Sequence, residues 1–474
     1  MKLRRIVSVV FLVSGIASAE SPRPVASHPP TGASQGGARG AVILPGGSPV
    51  KSRISFTNEV SRILQDRCQT CHRAGGIAPF PLVTYEDAFN FRDAIRYMVE
   101  TRQMPPFKQS KACQSMKDDP SLSAKEIETI GRWVSNGAPE GNPAEMPPAK
   151  SFPDIWTAGT PDLPLAMPQP FTPDFSNGDV YRCFVMPTST TEDKWVTKVE
   201  VLPGARAMVH HVLLYLDTTS AAEELDARDP GPGYACFGGP GFTLTGGLGG
   251  WAPGNKPMEL PNGLGMSLPK AAKVVMQVHY SARGGILEPD VTQVGITYAR
   301  EPIQREYRAL PIVNQTFRIP AGESNFLVTQ SVPFVPASIT LYSITPHMHL
   351  TGKAMQVEAT LPGGAKVCLS NVPAWDFRWQ GTYFYETPLQ LPIGFGLSLK
   401  AWYDNSTGNP NNPHSPPRDL TWGEETGDEM CIAFLGFTLG GPVTAASADA
   451  DLAVVEPPVP SKAKDWADLA GQRE

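Results

Sequence analysis

The chain has 474 residues, 41% of them hydrophobic, which is enough for two to four domains with cores of their own. A formal net charge of −6 and the lack of any basic run argue against a nucleic-acid-binding surface. The 49 prolines and 44 glycines exceed average usage and favour turn-rich β structure and linkers over helical bundles.

The N-terminus has the features of a secretory signal peptide. Three basic residues precede an apolar stretch, residues 6–16, that is too short to span a bilayer. Ala17, Ser18 and Ala19 then form a small-residue cleavage site. We predict that residues 1–19 are removed and that the protein is periplasmic or secreted, where cysteines can pair. We expect no membrane span after cleavage.

Two other terminal segments lack periodicity. Residues 20–52 are rich in Pro, Gly, Ser and Ala, and we interpret them as a disordered linker in which His28 has no role. Residues 441–474 are rich in Ala, Pro and Asp, and we interpret them as a disordered tail despite Trp466.

The pattern between these segments changes from helix to strand. Residues 56, 60, 63 and 64 share one helical face, and Ser123 and Glu126 form a capping box before a second apolar stripe. From about residue 150 to 440, alternating or β-branched runs separated by Pro and Gly predict antiparallel sandwiches. These runs include KWVTKVEVL, HHVLLYLD, AKVVMQVHY, QVGITYA and KAMQVEATL.

The helical part contains CQTCH, which fits the attachment motif of a c-type haem. Cys68 and Cys71 would form thioethers with the haem, and His72 would be one axial ligand. A zinc or redox motif is the alternative for an isolated C-x-x-C-H. The predicted export, and the amphipathic helix that ends at the motif, favour haem.

Met104, in RQMPPF, is the predicted sixth ligand because the two following prolines stiffen its loop. Met98 and Met116 are alternative candidates for the sixth ligand. Any one of these methionines could instead be a core residue, which is the commoner role of a lone methionine. Residues 53–148 resemble a small, all-α class I cytochrome c.

Outside the motif and the linker, six histidines remain, and five lie in strand-like runs: His210, His211, His279, His347 and His349. The sixth, His414, lies in a Pro- and Asn-rich loop, and we interpret it as a surface residue.

The spacing of the five histidines suggests chelation. His347 and His349 are two apart, so both point the same way on a strand, although a solvent-exposed pair is the alternative. His210 and His211 are adjacent, so the backbone must bulge or twist if both bind one ion. Otherwise one is buried and the other is on the surface. His279 alone is most simply a core histidine.

Together the histidines indicate a metal. A pair plus a third histidine suits copper or zinc, whereas a pair plus a thioether favours copper because zinc rarely uses methionine. The spacing does not identify the methionine.

Residues from about 170 to 440 resemble the copper type II, ascorbate-dependent monooxygenases, the family of peptidylglycine α-hydroxylating monooxygenase and dopamine β-monooxygenase. The resemblance implies two jelly-roll-like, all-β sandwich domains, residues 149–305 and 306–440, each holding one copper. The matching stretches follow the family's order and are VYRCFVMP, VHHVLLY, GGWAPG, MQVHY, TPHMHLTGK and WGEETGDEMC.

The resemblance assigns three ligands to each copper ion. The electron-transfer copper would be held by His210, His211 and His279. The oxygen-activating copper, where catalysis takes place, would be held by His347, His349 and Met430.

The resemblance also implies a pairing for the cysteines that remain outside the haem motif. The expected bridges are Cys183–Cys236 and Cys368–Cys431. Cys113 would then be left unpaired.

Three positions depart from the peptide-amidating members of the family. Those members hold the substrate carboxylate with an arginine at the position of Thr345, and with an asparagine and a tyrosine at the positions of Ile432 and Phe434. Burial of a substrate carboxylate without these partners would be unfavourable in free energy, because its oxygens would lose their hydrogen bonds to water. We therefore expect an apolar substrate rather than a peptide or amino acid.

The sequence thus predicts an exported monooxygenase with two copper ions and one haem c per chain. It would hydroxylate a C–H bond of a small substrate with O2, and the haem would relay electrons from ascorbate or a redox protein. The alternative is a non-catalytic haem and copper electron-transfer or copper-binding protein. A third possibility is a cytochrome fused to a carbohydrate-binding sandwich, in which the histidines are structural.

Overall fold

The computed structural model describes residues 54–441, except residues 75, 77, 153–155 and 282–286. The predicted signal peptide and linker lie outside the described residues, as does the predicted tail beyond Gly441. The described residues belong to one compact unit, Ile54–Glu474. None of the helices described in this range is long and apolar enough to cross a membrane. The domain boundaries proposed at residues 148 and 305 stay predictions.

The helical part follows the apolar stripes of the sequence. A π-helical turn, Phe56–Val60, is capped by the Ser55 side chain and continues directly into an α-helix. The predicted capping box of Ser123 and Glu126 is present. The α-helices are α1 (Ser61–Arg67), α2 (Tyr85–Asn90), α3 (Arg92–Glu100) and α4 (Ala124–Ser135), and a 3-10 turn, Pro143–Glu145, follows.

These helices share a small core of their own. Phe56, Val60 and Leu64 are buried against Ile130 and Trp133, so the stripes predicted for the first and last helices meet each other. The arrangement explains why the segment is helical, because neither amphipathic face is stable in water without the other.

The strands between residues 163 and 306 form a first group, with a helix, α5 (Ala221–Asp226), and a 3-10 turn, Phe175–Asn177, between them. In chain order they are β1 (Leu163–Ala166), β2 (Val180–Pro187), β3 (Lys194–Leu202), β4 (Val209–Asp217), β5 (Tyr234–Ala235), β6 (Gly246–Trp251), β7 (Met258–Glu259), β8 (Leu264–Leu268), β9 (Lys273–Tyr280), β10 (Gln293–Tyr298) and β11 (Arg305–Glu306).

Two sheets of this group pack on one core, which we call the first sandwich. Their strand orders are β1-β10-β3-β8-β11, with β7 beside β3, and β5-β2-β9-β4-β6. Pairs are antiparallel except β8 with β11. Side chains such as Phe184, Leu214 and Met276 from one sheet meet Val196, Leu264 and Ile296 from the other.

The remaining strands form the second sandwich. In chain order they are β12 (Arg308–Asn314), β13 (Arg318–Ile319), β14 (Phe326–Val332), β15 (Ile339–His347), β16 (Gly352–Thr360), β17 (Lys366–Val372), β18 (Tyr383–Leu391), β19 (Gly396–Tyr403), β20 (Leu420–Thr421) and β21 (Cys431–Leu439). Its sheets have the orders β12-β21-β15-β18 and β14-β19-β16-β17, and β13 pairs with β20. The prediction of antiparallel β structure after about residue 150 is confirmed.

The disulfides correct one prediction. Cys183 on β2 is bonded to Cys236, as expected. Cys368, however, is bonded to Cys113 and not to Cys431, so the predicted Cys368–Cys431 bridge is wrong. Cys368 lies on β17 and Cys431 begins β21, and these strands belong to different sheets. The segment that carries Cys113 lies along β17 and supplies the partner instead.

Peptide mapping under non-reducing conditions tests this pairing. We expect a peptide that joins Cys113 to Cys368, with Cys183–Cys236 as the internal reference. Cys431 should react with iodoacetamide only after denaturation, because its thiol is fully buried and burial raises its pKa to about 12. A peptide that joins Cys368 to Cys431 would contradict the structure.

Candidate metal centre

The centre begins with an irregularity in β4. His211 lies directly opposite His279 on β9, and Val209 lies opposite Tyr280, so His210 is an extra residue between two paired positions. Such a bulge is the condition under which two adjacent histidines can face one ion. The sequence required a bulge or a twist here if both histidines were to bind one ion, and the structure has the bulge.

The three imidazoles of the first sandwich converge. The Nδ1 atoms of His210 and His211 are 3.2 Å apart, and those of His211 and His279 are 3.3 Å apart. All three residues offer ligand atoms within 4.8 Å of one another. We call this group the histidine trio. Its atoms are close enough to share one cation, and this donor set suits copper or zinc.

The protonation states of His210 and His211 suit metal binding. Burial lowers the pKa of His210 and of His211 well below the usual value, and the neighbouring histidines add to the effect. Neutral imidazole is the form that binds a metal, so these two rings need lose no proton near neutral pH.

Asp179, which immediately precedes β2, and Tyr181 on β2 orient His279. The Nε2 atom of His279 is 3.0 Å from Oδ2 of Asp179, and the Tyr181 ring stacks on the imidazole at 4.2 Å. Because the carboxylate only accepts, Nε2 holds the proton, and the Nδ1 lone pair faces His211. Burial opposes ionisation of Asp179, but hydrogen bonds from His279 and Thr426 lower its pKa to about 2.

The second pair of histidines lies at the end of β15. The ring centroids of His347 and His349 are 5.2 Å apart. His347 Nδ1 is 2.6 Å from the Gln380 side-chain oxygen, and His349 Nδ1 is 3.1 Å from the carbonyl oxygen of Asp428. Both carbonyl oxygens accept a hydrogen bond, which leaves each Nε2 with its lone pair free. Burial lowers the pKa of His347 to about 4 and that of His349 well below its usual value.

Glu429 ties the third predicted ligand to this pair. Its carboxylate accepts hydrogen bonds from the backbone amides of His349 (2.9 Å), Thr351 (2.7 Å) and Met430 (3.3 Å), and from the Thr351 hydroxyl. Burial raises the pKa of Glu429 to about 7, although these bonds oppose the rise. Met430 immediately precedes β21, and its backbone is therefore held beside that of His349.

The two histidine groups are neighbours. The ring centroids of His211 and His347 are 6.4 Å apart, although they belong to different sandwiches. Phe377 lies between the groups, stacked on His210 at 4.3 Å and 5.8 Å from His349. The resemblance implied one copper in each sandwich, and the structure brings the five histidines predicted as ligands of the two ions close together.

The haem motif forms a turn after α1. Cys68 and Cys71 are free thiols, and the Nδ1 atom of His72 is 3.1 Å from the Phe80 carbonyl oxygen. That carbonyl accepts the Nδ1 proton and leaves Nε2 free to coordinate, as a haem ligand requires. These residues therefore fit a covalently attached haem.

The candidate sixth ligands separate by position. Met104 is half-buried in the loop after α3, and Met98 is half-buried within α3. Met116 is buried in the core of the second sandwich, which leaves it no role at a haem.

Sequence reasoning missed the residues that orient the histidines. Asp179, Phe377, Gln380 and Glu429 are scattered along the chain, and only the fold brings them to the site. Glu429 could have been suspected because it lies in the quoted stretch WGEETGDEMC beside Met430. Asp179 directly precedes VYRCFVMP, and a carboxylate behind a ligand histidine is a common arrangement.

One curated relative is similar to this chain. It is DBH-like monooxygenase protein 1 of Gallus gallus, which is 25% identical over 297 residues. The match covers 55% of this chain and 46% of the relative, so the chain spans about half the length of that protein. No family model matches the chain. The distant match supports a relationship with monooxygenases.

The similar solved structures have TM-scores too low to support a shared fold. The major capsid protein P2 of bacteriophage PM2 has a TM-score of 0.24 at 9% identity, over 59% of this chain and 97% of that one. The VP2 subviral particle of infectious bursal disease virus has a TM-score of 0.19 at 9% identity, over 59% and 72% of the two chains.

Replacement of Asp179 tests the geometry of the trio. Asp179→Asn should weaken metal binding by the trio about 10–100-fold, because the partner that fixes the tautomer and the ring of His279 is lost. Cu(II) titration against a competing chelator measures the affinity. Asp174→Asn is the control, since that exposed carboxylate only caps a short turn. Equal affinity in the Asp179 variant and the wild type would contradict the assigned role.

Proposed function

We propose that this chain is an exported copper-dependent monooxygenase that hydroxylates a C–H bond of a small, apolar substrate with O2. Electrons would reach it through a c-type haem attached at Cys68 and Cys71, with His72 and Met104 as axial ligands. The observation that carries the proposal is the convergence of the histidine trio beside His347 and His349. The monooxygenase relative supports the reaction class.

The donor set favours copper over other metals. The trio would hold one ion, and His347, His349 and Met430 would hold another, in which the soft thioether suits copper and not zinc. Bound copper supplies the one-electron redox chemistry that activation of O2 requires. The reaction consumes the substrate, O2, two electrons and two protons, and it yields the hydroxylated product and water. Ascorbate or a redox protein would donate the two electrons.

Residues around the histidines fix the orientation of their rings and the position of their backbone. Asp179, Gln380 and the Asp428 carbonyl each hold a proton on the ring nitrogen that does not face the metal. Glu429 anchors the backbones of His349 and Met430 together. These contacts would orient the rings of His279, His347 and His349 before a metal binds, which would lower the cost of ordering them.

The register of β15 and β21 supports an apolar substrate. Thr345 lies opposite Phe434 and His347 lies opposite Ile432, so these four side chains project from one face of the sheet. Thr345 Oγ1 is hydrogen-bonded to Thr382 at 2.8 Å, so it already has a partner. A substrate carboxylate on this face would meet neither an arginine nor a tyrosine among these residues.

The disulfides support export. Cys113–Cys368 and Cys183–Cys236 need an oxidising compartment, and this agrees with the signal peptide expected from the sequence.

Metal and haem analysis tests the cofactors. Protein produced in a host that attaches c-type haem should contain nearly two copper ions and one iron per chain. His279→Ala should lose one copper, and His414→Ala, which changes a histidine outside both groups, should lose none. Iron without copper in the wild type would overturn the oxygenase and leave a haem carrier.

Product analysis tests the reaction. We expect O2 consumption to be coupled to hydroxylation in a panel of small apolar compounds, and His347→Ala to abolish it. Full copper occupancy with no coupled O2 consumption over the whole panel would favour a non-catalytic electron-transfer protein.

A variant of Thr345 tests the substrate class. Wild-type enzyme should discriminate against the carboxylated analogue of an accepted compound, because an unpaired polar group costs about 1–3 kcal/mol, or about 5- to 150-fold in kcat/KM. Thr345→Arg should reduce that discrimination, while Thr345→Val should not. A wild type that prefers the carboxylated compound would contradict the proposed class.

A further inference from the structure

A segment after the haem motif is fastened to the second sandwich. We call residues 107–117 the strap. The amide of Ser110 donates to the carbonyl of Asn371, and the amide of Lys117 donates to that of Phe384, at 2.8 and 2.7 Å. The Cys113–Cys368 disulfide adds a covalent bond between the strap and β17.

Side chains of the strap enter the sandwich. Met116 is part of its core, and Phe107 packs edge-on against Tyr383 with centroids 5.4 Å apart. Gln109 is buried and exchanges hydrogen bonds with Ser370. The strap begins three residues after Met104, so its attachment limits where the loop that bears Met104 can lie.

A second segment, residues 375–380, contacts predicted ligands of both copper ions. We call it the hub loop. Trp375 Nε1 donates to the His349 carbonyl at 3.0 Å, Phe377 stacks on His210, and Gln380 holds His347. The Gln380 amide also donates to the Phe377 carbonyl at 2.8 Å, which fixes its orientation.

One ion pair joins the strap to the hub loop. Lys108 Nζ is 3.4 Å from Asp376 Oδ2, and the two side chains are only 14% and 18% exposed. Asp376 also pairs with Arg378, which is largely exposed. Loss of Lys108 therefore leaves Asp376 with a partner, so the fold should tolerate the change.

We infer that the Lys108–Asp376 pair positions the hub loop, and through it couples the haem-attachment segment to the predicted copper ligands of both sandwiches. Lys108 and Asp376 are positioning residues: they touch no predicted ligand, but the residues next to Asp376 do. The role that we assign to the pair, which is to hold an electron donor and an electron acceptor in fixed geometry, rests on the proposed function. Its structural content does not depend on that function.

Lys108→Met and Asp376→Asn test the coupling in the full-length holoprotein. The first readout is the EPR spectrum of Cu(II) at the trio, which should change in both variants because Phe377 no longer fixes His210. The second is the oxidation of ferrous haem, followed by absorbance. In that step one electron passes from iron(II) to copper(II), giving iron(III) and copper(I), with no bond made or broken. We expect the oxidation of ferrous haem to slow about tenfold in both variants, which is the size of effect typical when a residue that supports a metal ligand is lost.

The controls separate positioning from general stability. Lys111→Met removes another strap lysine, whose partner is Asp119 and not a residue of the hub loop, and should match the wild type in both readouts. Lys108→Arg keeps the charge, so its EPR spectrum and its rate of haem oxidation should match those of the wild type. The double variant should be no worse than the worse single variant, since the two residues act as one pair.

The outcomes distinguish the two proposals. If wild-type haem is not oxidised by the copper, the haem relay fails, and the EPR spectra alone decide whether the pair positions the loop. If the spectra and rates of Lys108→Met equal those of the wild type, the inference is overturned whatever the relay does.

Discussion

The structure depends on a bulge of one residue in β4. Without it, His210 and His211 would point to opposite faces of the sheet, and His279 would have one neighbour instead of two. The bulge brings ligand atoms of three imidazoles within 4.8 Å of one another, close enough for all three to bind one cation. The remaining features, including Asp179 behind His279 and Phe377 against His210, hold these rings in place.

The sandwiches explain how distant parts of the sequence reach one centre. The trio lies on β4 and β9 of the first sandwich, while His347 ends β15 of the second. The loop before β21 then joins the two groups, because Thr426 donates to Asp179 while Glu429 binds the backbone of His349. The same loop therefore contacts the residue that orients His279 and the backbone of His349.

Local pattern predicted much of this molecule. KWVTKVEVL coincides with β3, the capping box at Ser123 begins α4, and the need for a bulge followed from two adjacent histidines. The disulfide of Cys368 could not be predicted, because the strap reaches β17 only through contacts that span more than 250 residues and leave no local signal. Gln380 and Phe377 were missed for the same reason, since their roles depend on tertiary packing and not on any motif.

Anomalous X-ray diffraction at the copper edge, on crystals of copper-loaded protein, is the most direct test of the central claim. The account predicts one peak among His210, His211 and His279, and a second bounded by His347, His349 and Met430. Peaks elsewhere, or none at the trio, would contradict it, and the imidazoles would then be a structural cluster.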